Sequence, residues 1–175
     1  MINEASPNTF EGSISRDMLK SRIWISDKLK ETKIPIKKCV VLGSWYGILP
    51  YVLKKYNHIE NIYANDINEE YIKISEKLNP NIRHIKGDCN RLKYNNIDCV
   101  INPSANDIVN NGWFERIPKH TTCLLHIGNG ITKGCPRDLN ELKRMYPLDE
   151  VYFEGKLNSI DNEGKFVRHM IIGKK

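Results

Sequence analysis

The apolar positions of this chain change spacing repeatedly, and each change predicts an element. Over residues 13–30 the segment SISRDMLKSRIWISDKLK sets Ile14, Met18, Ile25 and Leu29 on one helical face, with Ser13 or Ser15 placed to cap it. Arg22 falls in a gap of that stripe, where an arginine either snorkels at the rim of the helix contact or reaches into a cleft. Pro35 breaks the segment, and residues 37–42 then read as a continuous buried strand. Residues 47–55 return to helical spacing, with Ile48, Leu49, Val52, Leu53 and Tyr56 on one side. Pro50 is tolerated there because the first turn has no use for its missing N–H. A strand over 61–65, a helix over 68–78 turning Tyr71, Ile74 and Leu78 inward, and a strand over 81–85 complete the first half. Asn68 suits the N-cap of that helix, and Glu69 and Glu70 suit its positive end.

A fourth strand over 97–101 follows Asp88 so closely that any helix between them is limited to a turn or two. Trp113, Phe114 and Ile117 belong to a short helix or loop before a fifth strand over 121–126, and Leu139, Leu142 and Tyr146 mark a helix stopped by Pro147. Residues 150–157 and 165–172 are strand-like runs joined by Asn-Ser-Ile-Asp-Asn-Glu-Gly, which predicts an antiparallel hairpin. Strands alternating with helices imply right-handed crossovers. The predicted fold is therefore α/β: a Rossmann-like three-layer sandwich whose mostly parallel sheet of about seven strands ends in an antiparallel hairpin. Residues 1–34 form an N-terminal helical segment and residues 35–175 the Rossmann-like core of a single domain.

Composition narrows this picture without redirecting it. With 175 residues, 40% of them apolar and 27% charged, the chain has the length and balance of one globular domain. Its longest apolar runs, such as 39–42 and 169–172, fall far short of the ~20 residues of a membrane span. No basic-then-apolar leader opens the sequence, so a cytoplasmic protein without membrane partners is expected. Five cysteines, odd in number and without a C-x-x-C pair, read as reduced and mostly buried thiols. The five histidines are scattered singly, and no metal is predicted. The net charge of +6 suits a polyanion, but the basic residues are dispersed as on a solvated surface.

In such sheets ligands bind beyond the carboxyl ends of the strands, where the strand order reverses. Four signals follow strands. Gly43 and Gly47 flank Ser44-Trp45-Tyr46 after the first strand, where missing side chains serve a tight turn or the close approach of a ligand. Trp45 reads as a packing residue or a ligand contact. Asp66 comes 19 residues after Gly47, an interval at which a carboxylate accepts from both hydroxyls of a ribose or simply starts a helix. Asp88 follows the third strand in Lys86-Gly87-Asp88-Cys89, and Asn102-Pro103-Ser104-Ala105 follows the fourth. A second glycine cluster, Gly128-Asn129-Gly130 with Gly134, lacks the G-x-G-x-x-G spacing and reads as a loop.

From Lys37 onward this ordered set resembles the class I S-adenosylmethionine-dependent methyltransferases. The family's first loop reads acid-x-Gly-x-Gly-x-Gly; here Val41 stands at the acid and Trp45 at the central glycine, while Gly43 and Gly47 are kept. The resemblance implies S-adenosylmethionine as cofactor. Gly43, Ser44, Trp45, Tyr46 and Gly47 would line its methionine part, Asp66 would hold the ribose, Ile67 would pack on adenine, and Asp88 would accept from the adenine amine with Cys89 beside it. Amino-methyltransferases of the family carry Asn-Pro-Pro-aromatic after the fourth strand, where the amide oxygen and a proline carbonyl accept from the target amine. Asn102, Pro103 and Ser104 are the matching catalytic candidates, with Asn102 also beside the cofactor; Ser104 donates to the acceptor or caps the next turn. His126 is a base near the cleft or a satisfied buried histidine, and Trp113 or Phe114 stacks on an acceptor or belongs to the core.

The activity implied is methyl transfer to a small-molecule or nucleotide-like acceptor. Three readings stand beside it: a nucleic-acid amine methyltransferase, a lyase or hydrolase that degrades S-adenosylmethionine, and an inactive methyltransferase-like binding subunit. A nicotinamide enzyme fits less well, because Trp45 fills the position where a pyrophosphate needs glycine. Composition and spacing set no oligomeric state.

Overall fold

The computed structural model describes residues 9–128, 132–161 and 164–175. Seven strands form one sheet in the order β3-β2-β1-β4-β5-β7-β6. They are β1 (Lys38–Val41), β2 (Asn61–Asp66), β3 (Arg83–Lys86), β4 (Cys99–Asn102), β5 (Thr122–Ile127), β6 (Glu150–Asp161) and β7 (Gly164–Lys174). The first five pair in parallel, with Val41 beside Ala64 on one side and Ile101 on the other. β7 enters antiparallel between β5 and β6, setting His169 beside Ile127. After β1 the chain steps outward to β2 and β3, then returns to lay β4 on the opposite flank of β1. The crevice between the carboxyl ends of β1 and β4 is thus the switch point at which open α/β sheets bind ligands.

Helices cover both faces, as the nearly unbroken burial of the central strands requires. α1 (Phe10–Ser13), α2 (Arg16–Glu31), α3 (Ile48–Val52, continued by a π turn over Leu53–Asn57) and α4 (Glu69–Leu78) precede α5 (Gly112–Glu115) and α6 (Leu139–Met145). On one face Ile25 and Leu29 of α2 and Leu49 and Leu53 of the α3 segment pack on Val41, Ile101, Leu124, Met170 and Ile172. On the other, Tyr94, Trp113, Phe114, Leu142 and Tyr146 pack on Val40, Leu42, Val100, Leu125 and Ile171. Neighbouring strand residues alternate between the two cores, as a pleated strand demands.

The structure departs from the sequence expectation where local chemistry overrides the apolar period. The first helix is broken at Ile14 and Ser15; Ile14 is left 41% exposed, and Ser15 caps α2 by accepting from the Met18 N–H at 3.4 Å. Arg22 is buried, not at the rim. On α4 the buried positions are Ile72 and Ser75, whereas Leu78 of the expected inward face is 46% exposed. The helix turns this way because a small residue is needed beneath Gly47, and Ser75 fills that place while bonding His84 Nε2 at 2.8 Å. The π turn shifts the phase after Val52 and leaves Tyr56 exposed. The hairpin strands run further than expected, taking in Asn158 to Asp161. Residues 162 and 163 of its turn, and Asn129 and Gly130 of the second glycine cluster, lie outside the described residues. All five cysteines are buried free thiols; burial pushes Cys39 and Cys123 up to about 12, which leaves them unreactive. No described helix is long and apolar enough to cross a membrane.

Candidate functional site

The loop after β1 is held by backbone bonds to its neighbours. Leu42 N–H donates to the Ile101 carbonyl at 2.9 Å, Ser44 N–H to the Asn65 carbonyl at 2.8 Å, and Gly47 N–H to the Ser44 carbonyl at 3.0 Å. Gly43, Trp45 and Gly47 all take left-handed φ values, of +54°, +53° and +78°. The two glycines serve different ends. A Cβ on Gly47 would lie 2.0 Å from Ser75 Oγ, so its bareness lets α4 close on the loop. A Cβ on Gly43 would meet nothing nearer than Ile108 Cδ1 at 4.0 Å, so its bareness leaves space on the crevice side. Trp45 occupies a conformation costly for a bulky side chain. It is compensated by a bond from its N–H to Asp66 Oδ2 at 2.8 Å and by ring contact with Tyr46 at 5.2 Å between centroids.

Asp66, at the end of β2, is 8% exposed and ties this loop to the next element: its Oδ1 accepts from the Asn68 N–H at 2.9 Å. A carboxylate offers about four lone-pair sites, so two remain for a ligand. Beside it Ile67 stands 71% exposed, an apolar surface directed at solvent. Asp88 caps the turn after β3, accepting from the Asn90 N–H at 2.9 Å and Asn90 Nδ2 at 3.1 Å, with Arg91 Nε 3.7 Å from its second oxygen. Cys89 next to it is buried, and burial pushes its thiol up to about 11.

At the end of β4, Asn102 is fully buried and its Oδ1 accepts from the Ser104 N–H at 3.0 Å. That bond turns Nδ2 the other way, where it meets no acceptor among the described residues. Ser44 Oγ is likewise buried without a partner among them. Two orphaned polar groups on adjacent strand ends would each cost about 1–3 kcal/mol unless a ligand or water completes them. The Pro103 carbonyl is engaged: His126 Nδ1 donates to it at 2.7 Å, and His126 Nε2 accepts from Ser21 Oγ at 3.2 Å. Burial first, and then the Arg168 guanidinium, pushes this histidine down to about 3, so it is neutral and satisfied. Trp113 and Phe114 are core residues of the far face. No group of three or more metal-ligating side chains gathers among the described residues.

The structure thus brings Gly43, Ser44, Trp45, Asp66, Ile67, Asp88 and Asn102 to one edge of the sheet, at the ends of β1 to β4. It also brings there residues the apolar pattern left unremarked. Arg168 of β7 has a side chain only 3% exposed; its Nε donates to Ser159 Oγ at 3.1 Å and its Nη2 to Asp17. The signal for it was strand parity, since Arg168 shares a face with Met170 and Ile172. Asn106 is a second: its Oδ1 accepts from the Gly128 N–H at 2.9 Å and ties the loop after β4 to the end of β5.

No family model and no curated protein matches the sequence. Solved structures do match. A Thermoplasma acidophilum protein superposes with a TM-score of 0.71 at 12% identity, over 91% of this chain and 86% of that one. The fold is that of the class I methyltransferases. Magnesium protoporphyrin IX methyltransferase from Synechocystis, solved with bound S-adenosylmethionine, matches with a TM-score of 0.64 at 10% identity, over 90% of this chain and 78% of that one. TehB from Haemophilus influenzae matches at 0.62 and 18% identity, over 85% of this chain and 61% of that one. At such identities the likeness carries the architecture, and the chemistry must be argued from this chain's own residues.

Proposed function

We propose that this protein binds S-adenosylmethionine in the crevice between β1 and β4 and transfers its methyl group to a small-molecule or nucleotide-like acceptor. The observation that carries this reading is the pair of orphaned buried groups, Ser44 Oγ and Asn102 Nδ2, on residues that follow the neighbouring strands β1 and β4, where Gly43 leaves space. The bound S-adenosylmethionine in a structure of the same fold supports it. Asp66 would take the ribose hydroxyls with its free lone pairs while holding the loop in shape, Ile67 would cover adenine, and Asp88 with Cys89 would border the base. Ser44, Trp45, Tyr46 and Gly47 would shape the methionine end.

The cofactor supplies an electrophilic methyl on a sulfonium; an acceptor lone pair displaces it in line, and the C–S electron pair stays on sulfur. The chain's part is to orient the acceptor and exclude water, and orientation alone contributes on the order of 7–11 kcal/mol. Asn102, Pro103 and Ser104 stand at the end of β4, where that positioning belongs. With Asn102 Oδ1 bonded to Ser104 N–H and the Pro103 carbonyl bonded to His126, both acceptors of this corner are engaged and the group left without a partner among the described residues is a donor, the buried Asn102 Nδ2. A donor there suits an acceptor molecule bearing oxygen lone pairs better than an amine of a nucleic-acid base.

Incubation with methyl-labelled S-adenosylmethionine and separate RNA, DNA, protein and metabolite pools tests the reading. Label in metabolites is expected. Label confined to nucleic acid would replace this acceptor class, and breakdown of the cofactor without any acceptor would replace methyl transfer by lyase or hydrolase chemistry.

A further inference from the structure

Next to the crevice, under the N-terminal half of α2, lies a cation with no counter-charge among the described residues. Arg22 is only 7% exposed, yet its guanidinium makes no hydrogen bond or ion pair with any described residue. It sits on the sheet-facing stripe of α2 that continues into Ile25 and Leu29. One residue before it, Ser21 bonds His126 at the end of β5; one turn before it, Met18 Sδ lies 3.6 Å from Arg168 Nη2. Arg168 approaches the same corner from β7, and its Nη1 would stand 3.3 Å from a Cβ placed on Gly128. Two guanidinium groups therefore converge beyond the ends of β4 and β5, while Asp17, bonded to Arg168, is the one carboxylate among the described residues that pairs with either. Burial, and then repulsion from Arg168, holds the Arg22 guanidinium down to about 10.

A buried charge without a partner is among the costlier arrangements a fold can keep, and one that sits at a ligand edge points to a charge brought by the ligand. The surroundings agree. Asp17 and Ser159, which bond Arg168, also line an open recess of about 950 Å³ between α2 and the β6–β7 hairpin. Arg16, Lys20 and Lys165 stand on the same recess and give it a basic rim that attracts anions to this side of the molecule. We propose that Arg22 and Arg168 form an anion subsite for the acceptor, so that the molecule methylated carries a phosphate or carboxylate group. The unpaired fork of Arg22 matches the oxygens of such a group, whereas a lysine would offer a single point charge; Arg168, held through Nε and Nη2 by Ser159 and Asp17, adds its Nη1 and its charge. The subsite rests on the methyltransferase reading for its purpose but not for its chemistry.

The test uses the full chain, with inorganic phosphate and acetate as probes against chloride at matched ionic strength. Calorimetric titration of the wild type should show saturable one-to-one binding of at least one probe; phosphate preferred points to a phosphorylated acceptor, acetate to a carboxylic acid. Arg22→Met should weaken that binding on the order of thirtyfold or more, the loss expected when one partner of a buried charge contact is removed. The same variant without probe should unfold at a higher temperature than the wild type, because an uncompensated charge has been replaced by an apolar side chain of similar length. Exposed Arg116→Met is the control and should change neither. Absence of anion binding in the wild type, or equal binding in Arg22→Met, overturns the proposal; so does a lower unfolding temperature for Arg22→Met, which would give Arg22 a structural role. S-adenosylhomocysteine titrated into the same samples separates the two claims. Its failure to bind, with phosphate binding intact, sinks the methyltransferase reading and leaves the subsite standing.

Discussion

Both oxygens of Asp66 are engaged inside the protein, one by the Trp45 N–H and one by the Asn68 N–H, so this side chain joins the first loop to the start of α4 before any ligand arrives. Asp66→Ala should cost about 2–4 kcal/mol in denaturant unfolding, since two charge-assisted bonds are lost. It should also weaken S-adenosylhomocysteine binding tenfold or more. His126 makes a prediction of opposite character. Its pKa is about 3 in the folded protein and near 6.5 when unfolded, so the unfolded chain binds the proton first. The stability it contributes is complete above pH 6.5 and is lost at about 1.4 kcal/mol per pH unit as the pH falls toward 3. Urea unfolding between pH 4 and 7 reads this slope, and His126→Gln should flatten it. At this scale the sequence was partly legible. Asp66 and Asn102 followed from their places after strands, but the orientation of the Asn102 amide and the engagement of Pro103 depend on His126, which is 23 residues away in the chain.

Among the elements, the contact between the first loop and α4 is the tightest feature of the site. Gly47→Ala would set a Cβ 2.0 Å from Ser75 Oγ at a φ of +78° and should destabilise the protein by about 1–3 kcal/mol or more. Gly47→Ala combined with Ser75→Gly should recover the steric part and leave the cost of the left-handed backbone, which thermal unfolding of the single and double variants will separate. The same contact explains why helical period misled: α4 was expected to bury Tyr71, Ile74 and Leu78, but the demand for a small residue under Gly47 turned Ile72 and Ser75 inward. A one-dimensional apolar pattern does not contain that demand, because it arises between residues 28 positions apart. Strand parity, by contrast, was present in the sequence of β7, where Arg168 shares its face with Met170 and Ile172.

For the whole molecule, the order β3-β2-β1-β4-β5-β7-β6 places the orphaned polar groups, the free lone pairs of Asp66 and the two buried arginines along a single edge. The alternation of strands and helices was legible from residue spacing, as was the closing hairpin. The insertion of β7 between β5 and β6 was not, since pairing partners are set by packing across the sheet. If the edge is a cofactor site, binding must stabilise the fold by mass action. A hundredfold excess of ligand over its Kd contributes about 2.7 kcal/mol, or roughly 5–10 °C in the unfolding temperature of a chain this long. The measurement that bears most directly on the central claim is calorimetric titration of the full chain with S-adenosylmethionine and S-adenosylhomocysteine, beside Asp66→Ala. Saturable one-to-one binding of both by the wild type, weakened tenfold or more in the variant, is the predicted result; no binding of either at millimolar concentration would contradict it.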